Sequence, residues 1–308
     1  MELSEIRHVF QEHWKKGWSS VSAEEAEFIQ SLIVKHRPER FIEIGTASGL
    51  SGGLICRFLE ENGGKEFITV DHDNTFFGDP SLPNGFALDK IYTGNAVKVD
   101  KRPHRTALNV PEWNETYDMA FVDANHQHPW PLIDTLCLYP FMTGSKLIVH
   151  HDLRLYRTQD IAYGIGPKYL FDQFLPKQRF VSPATHRNTF YVDVNMRKER
   201  MADIAEAAFL LPWSLRAPMP DDVADQVRQI LKTHYTPAVR KAFDTGFERF
   251  NSLSPDRAKS EPKSMSEKVV TKAAEKVTPK GGVAQAGDLA KPKQKKKRRS
   301  LNPKTWIG

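Results

Sequence analysis

The chain has 308 residues, 40% of them hydrophobic, and contains no run of 18 or more apolar residues. This length allows one sizeable core with an appendage, and the lack of a long apolar run predicts that no segment spans a membrane. The first 18 residues are charged and mixed, so we expect no signal peptide. The two cysteines lack the spacing of a disulfide framework or a thiolate metal site, which favours a reducing, cytoplasmic setting.

The net charge of +6 is distributed unevenly along the chain. Residues 252–308 hold 15 of the 44 basic and 5 of the 38 acidic residues, which leaves 29 basic and 33 acidic residues in 1–251. The tail is rich in Ser, Pro, Lys, Ala and Gly, so we predict that 252–308 is disordered. Its run "KQKKKRR" is typical of a solvated charge cluster, and binding to an anionic partner is the alternative. The acidic body argues against a nucleic-acid surface.

Within 1–251, helices and short apolar runs alternate. The segment 22–36 places its apolar residues on one helical face, with Ser22 as N-cap and Glu25 three residues later. Gly63 and Gly64 end the next predicted helix. Helices are predicted at 22–36, 50–62, 200–211 and 220–234. We therefore divide this part into a core of about 20–195 and a helical cap at 196–251.

Six segments read as strands because they are short, apolar and bounded by turn residues. They are 40–45, 66–73, 90–96, 118–125, 146–152 and 188–195. Strands separated by helices indicate a parallel sheet covered on both faces, and such sheets bind ligands at the carboxyl ends of their strands. The Pro- and Gly-rich segment 74–89 is either a flap beside the ligand or an ordinary surface loop.

The first predicted strand leads into a glycine-rich turn, "FIEIGTASGLSGG". Its glycines match neither the GxGxxG pattern of dinucleotide sites nor the GxxxxGK[ST] pattern of nucleoside triphosphate sites. The pattern present is E-x-G-x-x-x-G, with Asp71 at the end of the next strand. A turn of this kind lets a ligand approach the backbone and the helix N-terminus closely, so we predict a cofactor site.

The stretch "IEIGTASGLS" resembles the class I S-adenosylmethionine-dependent methyltransferases. The resemblance implies an α/β, Rossmann-like, doubly wound fold with a mostly parallel seven-stranded sheet, helices on both faces and a late antiparallel strand. It also implies that Asp71 accepts hydrogen bonds from both ribose hydroxyls. The cofactor-binding residues implied in this way are Glu43, Gly45, Thr46, Ser48, Gly49, Ser51, Asp71, His72, Asn95 and Asp123.

Two further stretches, "FVDANH" and "LIVHHDL", resemble the metal-dependent O-methyltransferase branch of that family, the methyltransferase family 24 type, over about residues 20–195. The resemblance implies Asp123, His151 and Asp152 as ligands of a divalent metal, Mg²⁺ or Mn²⁺. His151 stands where the branch usually has an acid. This difference favours a metal that accepts an imidazole ligand. The alternative is that this member of the branch has lost its metal. The D-x-x-H spacing of some sugar-directed members implies that His126 is the general base. The implied catalytic residues are Asp123, His126 and His151.

Each of these residues also has an ordinary structural interpretation. Asp123 can cap a helix, and His126 can simply be a hydrogen-bonded histidine. His128, which precedes Pro-Trp-Pro, is expected to be a loop residue. His150 and His151 should point to opposite faces of their strand, so only one of the two can face the site.

The function that these features favour is an S-adenosylmethionine-dependent O-methyltransferase that acts on a hydroxyl of a small molecule or sugar. An NAD(P)-dependent oxidoreductase is the first alternative, but the glycine spacing and the missing YxxxK pair disfavour it. A degenerate methyltransferase fold that serves as a scaffold is the second. An RNA methyltransferase is the third, and the Asn/Asp-Pro-Pro-Tyr motif expected for it is absent from the sequence. The sequence leaves open whether the protein is a homodimer.

Overall fold

A central sheet organises the protein, whose computed structural model describes residues 1–13, 21–158 and 160–253. The predicted disordered tail lies outside the described residues from position 254 onward, so its disorder stays a prediction. The described strands are β1 (Arg40–Ile44), β2 (Glu66–Asp71), β3 (Thr75–Phe76), β4 (Asp79–Pro83), β5 (Lys98–Pro103), β6 (Tyr117–Val122), β7 (Met142–His150), β8 (Arg179–Val181) and β9 (Phe190–Asp193).

Seven of these strands form the main sheet in the order β5-β2-β1-β6-β7-β9-β8. The pairs of β1 with β2, β1 with β6, β2 with β5 and β6 with β7 are parallel, whereas β9 runs antiparallel to β7 and β8. The strand order reverses at β1 and β6, which is where doubly wound sheets bind their ligands. The predicted fold class, including the late antiparallel strand, is confirmed.

Helices cover both faces of this sheet. They are α1 (Leu3–His13), α2 (Ala23–His36), α3 (Leu50–Glu61), α4 (Leu88–Ile91), α5 (Val110–Trp113), α6 (Trp130–Leu138), α7 (Ile161–Gly164), α8 (Gly166–Gln173), α9 (Lys198–Phe209), α10 (Asp221–His234) and α11 (Pro237–Leu253). None of the helices in the described ranges is long and apolar enough to cross a membrane.

The sheet separates two hydrophobic clusters. Phe41 of β1 packs with α2 and α3 on one face, and the next residue, Ile42, packs with α6 and the C-terminal helices on the other. Both side chains are fully buried. Burial of each such side chain contributes about 1.5–3 kcal/mol, so the two-sided cover stabilises the strands that carry the site.

The start of α2 follows the sequence prediction. The Ser22 hydroxyl accepts a hydrogen bond from the Glu25 N–H, and the Glu25 carboxylate accepts one from the Ser22 N–H. This capping box satisfies two N–H groups that the first helical turn leaves unpaired. It also fixes the position of Glu25, which is important for the site described below.

The predicted third strand at 90–96 is wrong. Leu88–Ile91 is helix α4, and the strand is β5, which begins at Lys98. The Tyr92 hydroxyl accepts a hydrogen bond from the Val97 N–H, and the residues between them belong to no strand. The predicted segment is more apolar than β5, which lies at the edge of the sheet and carries charged residues, so its composition was misleading.

The segment 74–89 contains the antiparallel hairpin of β3 and β4. Its backbone supports the glycine-rich turn, because the Gly85 N–H donates to the Ala47 carbonyl and the Ala87 N–H donates to the Ser48 carbonyl, both at 2.8 Å. The Phe77 side chain is 75% exposed and lines the cavity described next. The segment therefore lies against the predicted cofactor turn.

Candidate active site

The carboxyl ends of β1, β2 and β6 meet at one edge of the sheet around a cavity of about 580 Å³. The glycine-rich turn after β1 and Asp71 at the end of β2 line one part of it. Asp123 and His126, which follow β6, line another part. The edge predicted from the sequence is therefore the place where most of the predicted site residues come together.

Gly45 allows the first strand to turn at this edge. Its φ of +102° belongs to the region that favours glycine, and a Cβ atom there would lie 2.2 Å from the Asp123 carbonyl oxygen. The backbone of the turn therefore passes directly beside the end of β6. Predicted cofactor residue Gly45 is thus a position where only glycine fits, and it lines the cavity.

Asp71 holds the turn from the other side. Its Oδ2 accepts hydrogen bonds from the Thr46 N–H at 2.9 Å and the Ala47 N–H at 3.0 Å, and its Oδ1 accepts one from the Asp73 N–H at 3.0 Å. A carboxylate has about four lone-pair sites, so Asp71 keeps acceptor capacity towards the cavity that it lines. His72, the next residue, is 83% exposed and lines the same cavity.

Glu43 does not reach the cavity, contrary to its predicted contact with the cofactor. It is fully buried, and its carboxyl group accepts hydrogen bonds from the Ser51 hydroxyl at 2.8 Å and the Thr69 hydroxyl at 2.6 Å. Burial raises the pKa of Glu43 to about 8, although the two hydroxyls oppose the shift. Glu43 supports the glycine-rich turn from below, because it ties the first turn of α3 to β2.

The remaining predicted residues of the turn divide into two groups. Thr46, Ser48 and Ser51 line the cavity. Gly49 faces away from it, because a Cβ atom there would lie 2.8 Å from the Cα atom of Gly85. Gly49 therefore allows close packing of the hairpin segment, and it does not line the cavity.

Asn95 is not part of the site. It precedes β5, whose first residue, Lys98, pairs with Glu66 at the amino end of β2. Asn95 therefore lies at the opposite edge of the sheet from Asp71. The residues that follow β5 at the correct edge are Arg105 and Thr106, and both line the cavity. The misplaced third strand explains why the sequence pointed to the wrong residue.

Acids and histidines after β6 and β7 form one cluster. His126 Nε2 lies 2.7 Å from Asp152 Oδ2 and 3.5 Å from Asp123 Oδ1. His151 Nδ1 lies 3.2 Å from Asp152 Oδ1 and 3.5 Å from Asp123 Oδ1. Asp152 has a φ of +62° and accepts a hydrogen bond from the Asn188 side chain at 2.8 Å. The two predicted motifs therefore converge.

Charge pairing controls the protonation of this cluster. Burial alone would raise the pKa values of Asp123 and Asp152, but the neighbouring imidazoles outweigh burial and hold both pKa values below the usual range. Burial would lower the pKa of His126, but Asp123 and Asp152 raise it to about 9. The same acids raise the pKa of His151 well above its ordinary value.

The two histidines occupy different positions in the cluster. His126 lines the cavity, and its Nε2 belongs with Asp123 and Asp152 to a set of ligand atoms that lie within 4.8 Å of one another. His151 is 2% exposed and lies behind them, with its Nε2 3.4 Å from Glu25 Oε2. The sequence predicted His151 as the third ligand beside Asp123 and Asp152. In the structure His126 holds that place in the set able to bind a cation.

The histidines that the sequence set aside have structural roles. His128 is buried, its Nε2 lies 3.0 Å from the Ala208 carbonyl, and burial lowers its pKa to about 4. His150 points to the opposite face from His151, where it stacks on Phe190 and lies 3.3 Å from the Thr135 hydroxyl. Neither belongs to the cation-binding set among the described residues.

Asp134 is a cavity residue that the sequence reasoning missed. It lies in α6, is 6% exposed and lines the cavity. Burial raises its pKa to about 7, and its carboxyl group has no hydrogen bond or ion pair with another described residue. A single acid inside the apolar run "WPLIDTLCL" was the signal that could have identified it, because an unpaired buried carboxyl is costly unless it serves a site.

Comparison with known proteins defines the class of this site. A family model described as a methyltransferase domain, of family 24, matches residues 42–153, which span the glycine-rich turn and both motifs of the cluster. Residues 42–153 match this methyltransferase domain, which confirms the resemblance to family 24 and the prediction of an S-adenosylmethionine-dependent methyltransferase. The comparison gives no support to an oxidoreductase. No curated protein matches the chain.

Several solved structures of methyltransferases are similar to the chain at low sequence identity. The O-methyltransferase TomG of Streptomyces achromogenes is 18% identical, with a TM-score of 0.45 over 62% of this chain and 88% of its own. An O-methyltransferase of Bacillus cereus is 15% identical, with a TM-score of 0.43 over 62% and 90%. A caffeoyl-CoA O-methyltransferase assigned in Staphylococcus aureus is 15% identical, with a TM-score of 0.43 over 63% and 92%.

Proposed function

We propose that the chain transfers a methyl group to a hydroxyl of a small molecule or sugar. The observation that supports this proposal is a single cavity that joins the glycine-rich turn and Asp71 to the acids and histidine of the cluster. S-adenosylmethionine, when bound, supplies an electrophilic methyl group. The acceptor hydroxyl would then lie beside Asp123 and His126.

The part of the chain around the turn would bind the cofactor. Asp71 keeps lone pairs for the ribose hydroxyls, and the backbone at Gly45 is open to close approach. Thr46 and Ser48 line the cavity near the start of α3 and would contact the amino-acid end of the cofactor. These residues would align the cofactor with the acceptor, which is the main requirement of methyl transfer.

The cluster fits a divalent cation. Asp123, His126 and Asp152 each offer one ligand atom, and all three atoms lie within 4.8 Å of one another. The buried Nδ1 of His151 also faces both carboxylates, 3.2 Å from Asp152 Oδ1 and 3.5 Å from Asp123 Oδ1. Such a cation would lower the pKa of the acceptor hydroxyl. An imidazole ligand suits Mn²⁺ better than Mg²⁺.

The contact of 2.7 Å between His126 and Asp152 favours a second mechanism without a metal. In this mechanism Asp152 orients the imidazole of His126, and His126 takes the proton of the acceptor hydroxyl. His126 must lose its own proton first, because its pKa is raised to about 9. Both mechanisms use the same acceptor position, and they differ in whether EDTA abolishes the reaction.

Calorimetric titration with S-adenosylhomocysteine tests the cofactor assignment. It is run with EDTA, with Mg²⁺ and with Mn²⁺, and NADH serves as the control ligand. We expect binding of S-adenosylhomocysteine and none of NADH. Asp71→Asn should weaken binding about 10-fold or more, because it loses a charged acceptor worth about 1.5–3 kcal/mol.

Asp203→Asn is the matched control, since Asp203 is 68% exposed on α9, away from the cavity. Its affinity should equal that of the unmodified chain. An unmodified chain that fails to bind S-adenosylhomocysteine under all three conditions would contradict the proposed function.

A further inference from the structure

A second cavity, of about 730 Å³, lies next to the acid–histidine cluster. Glu25, which contacts His151, and Asn188, which contacts Asp152, both line it. Val21 lines this cavity and the cofactor cavity. The second cavity therefore adjoins the cofactor cavity at Val21 and is lined by the direct partners of His151 and Asp152.

Asn188 joins the cluster to the wall of the second cavity. Its side-chain N–H donates to Asp152 Oδ1, and its side-chain oxygen accepts from the Arg154 N–H, both at 2.8 Å. Its carbonyl accepts a third hydrogen bond, from the Leu153 N–H at 2.8 Å. These bonds fix the segment that carries Arg154 relative to the acid beside the acceptor position.

The second cavity has a surplus of positive charge. Arg7, Arg154, Arg157 and His186 line it, and of these Arg7 is paired with Glu24 at 2.8 Å. Among the described residues, neither Arg154 nor Arg157 forms an ion pair with a carboxylate. This surplus stands out because residues 1–251 as a whole carry more acidic than basic residues.

The one acidic residue in the lining does not cancel this charge. Glu25 is 2% exposed, and its Oε2 is held by the Ser22 N–H and by His151. Arg157, in contrast, is exposed, and its Nε donates to the Tyr156 hydroxyl at 3.1 Å. Within the described part of the chain, no other side-chain hydrogen bond engages the guanidinium group of Arg157.

We infer that the methyl acceptor is anionic, and that Arg154 and Arg157 bind its anionic group while its hydroxyl lies at the cluster. This inference rests on the proposed function and names its substrate class. The planar guanidinium matches carboxylate and phosphate oxygens with paired hydrogen bonds. A carboxylated sugar or aromatic compound and a phosphate ester share this chemistry.

Calorimetry of the full-length chain with S-adenosylhomocysteine bound tests the inference. The probes are inorganic phosphate, D-glucuronate and D-glucose, at low ionic strength because salt screens exposed charges. We expect at least one anion to bind and D-glucose to bind at least 10-fold more weakly. Arg157→Gln and Arg154→Gln should each weaken anion binding about 10-fold, the typical effect of losing a charge-assisted hydrogen bond.

Arg240→Gln is the matched control, because Arg240 is exposed on α11 and lines neither cavity. It should leave anion binding unchanged. Phosphate binding alone would indicate a phosphate ester, and D-glucuronate binding alone would indicate a carboxylate.

Equal anion affinity of Arg157→Gln and the unmodified chain, or no anion binding at all, would overturn the inference. The thermal midpoint of each variant shows whether it is folded, and the exposed position of Arg157 makes that variant the decisive one. A failure of the unmodified chain to bind S-adenosylhomocysteine is a separate result. This result would contradict the proposed function, but it would not contradict anion binding by Arg154 and Arg157.

Discussion

Glu25 and His151 are 126 positions apart in the chain, yet Glu25 Oε2 lies 3.4 Å from His151 Nε2 in the protein interior. The same carboxylate oxygen accepts the N–H of Ser22 in the capping box of α2. Burial would raise the pKa of Glu25, but His151 outweighs burial and the pKa is lowered. Helix α2 therefore supplies the buried counter-charge for the histidine behind the cluster.

We expect Glu25→Ala to lower the free energy of unfolding by about 3–5 kcal/mol, because removal of one partner leaves a buried charge unpaired. Urea denaturation measures this change. Glu27→Ala is the matched control, since Glu27 is exposed on the same helix and should change stability by less than about 0.5 kcal/mol. Equal stability of the two variants would show that the Glu25–His151 contact contributes nothing to the fold.

Asp152→Asn tests the role of the cluster in the reaction. Asn tolerates the positive φ of this position and keeps its shape, so the fold should persist. We expect S-adenosylhomocysteine binding to be unchanged and methyl transfer to fall at least 100-fold, because the variant loses a ligand or orienting carboxylate. Mass spectrometry of methylated product, with and without EDTA, is the measurement. If Asp152→Asn turns over at the full rate both with and without EDTA, both proposed mechanisms are refuted.

Glu43 makes stability depend on pH. Its pKa is raised from 4.5 to about 8 in the folded chain, so the unfolded chain loses its proton first as the pH rises. Between about pH 4.5 and 8 this group therefore lowers the free energy of unfolding by up to about 1.4 kcal/mol per pH unit. Glu43→Gln, which stays neutral, should lose less stability than the unmodified chain from pH 5 to pH 8.

Chemical denaturation at pH 5 and pH 8 measures this difference for the unmodified chain, Glu43→Gln and Glu39→Gln. Glu39 is 59% exposed, so its substitution should leave the pH dependence as it is. Identical slopes for Glu43→Gln and the unmodified chain would mean that the buried carboxyl ionises at its ordinary pKa.

Gly45→Ala tests the close approach of the turn to the end of β6. Its Cβ atom would lie 2.2 Å from a backbone oxygen, so we expect a loss of about 3 kcal/mol or more in unfolding free energy. Gly63→Ala is the control, because Gly63 also has a positive φ, of +82°, but has nothing within 4 Å of a Cβ atom. It should cost about 1–2 kcal/mol, as measured by thermal unfolding.

The sequence predicted the strands that form the centre of the sheet, because β1, β6 and the second half of β7 are apolar and largely buried. It misplaced the edge strand β5, which reads "KVDKRP" and is polar because one side faces solvent. Since the prediction took the apolar run before β5 as the strand, Asn95 was assigned to the wrong edge. An apolar pattern identifies strands that are covered, and an edge strand is covered only in part.

The residues of the cluster could also be predicted from the sequence, but their roles could not. Asp123, His126, His151 and Asp152 come together, yet only the fold shows that His126 faces the cavity and His151 faces Glu25. The partner of His151 lies too far away in the chain for any local pattern to indicate it. Asp134 was visible as a lone acid in an apolar helix, but its position at the cavity depends on how α6 packs.

The C-terminal helices are joined to the loop that carries His126. The His128 N–H donates to the Ser214 hydroxyl at 2.8 Å, and the Ser214 N–H donates to the His128 carbonyl at 2.9 Å. The His128 ring contacts the Ala208 carbonyl at the end of α9. The cap thus holds the loop that carries His126, while Glu43 and Asp71 hold the glycine-rich turn. The loop after β6 is therefore held at two places, by the cap at His128 and by the close approach of Gly45 to Asp123.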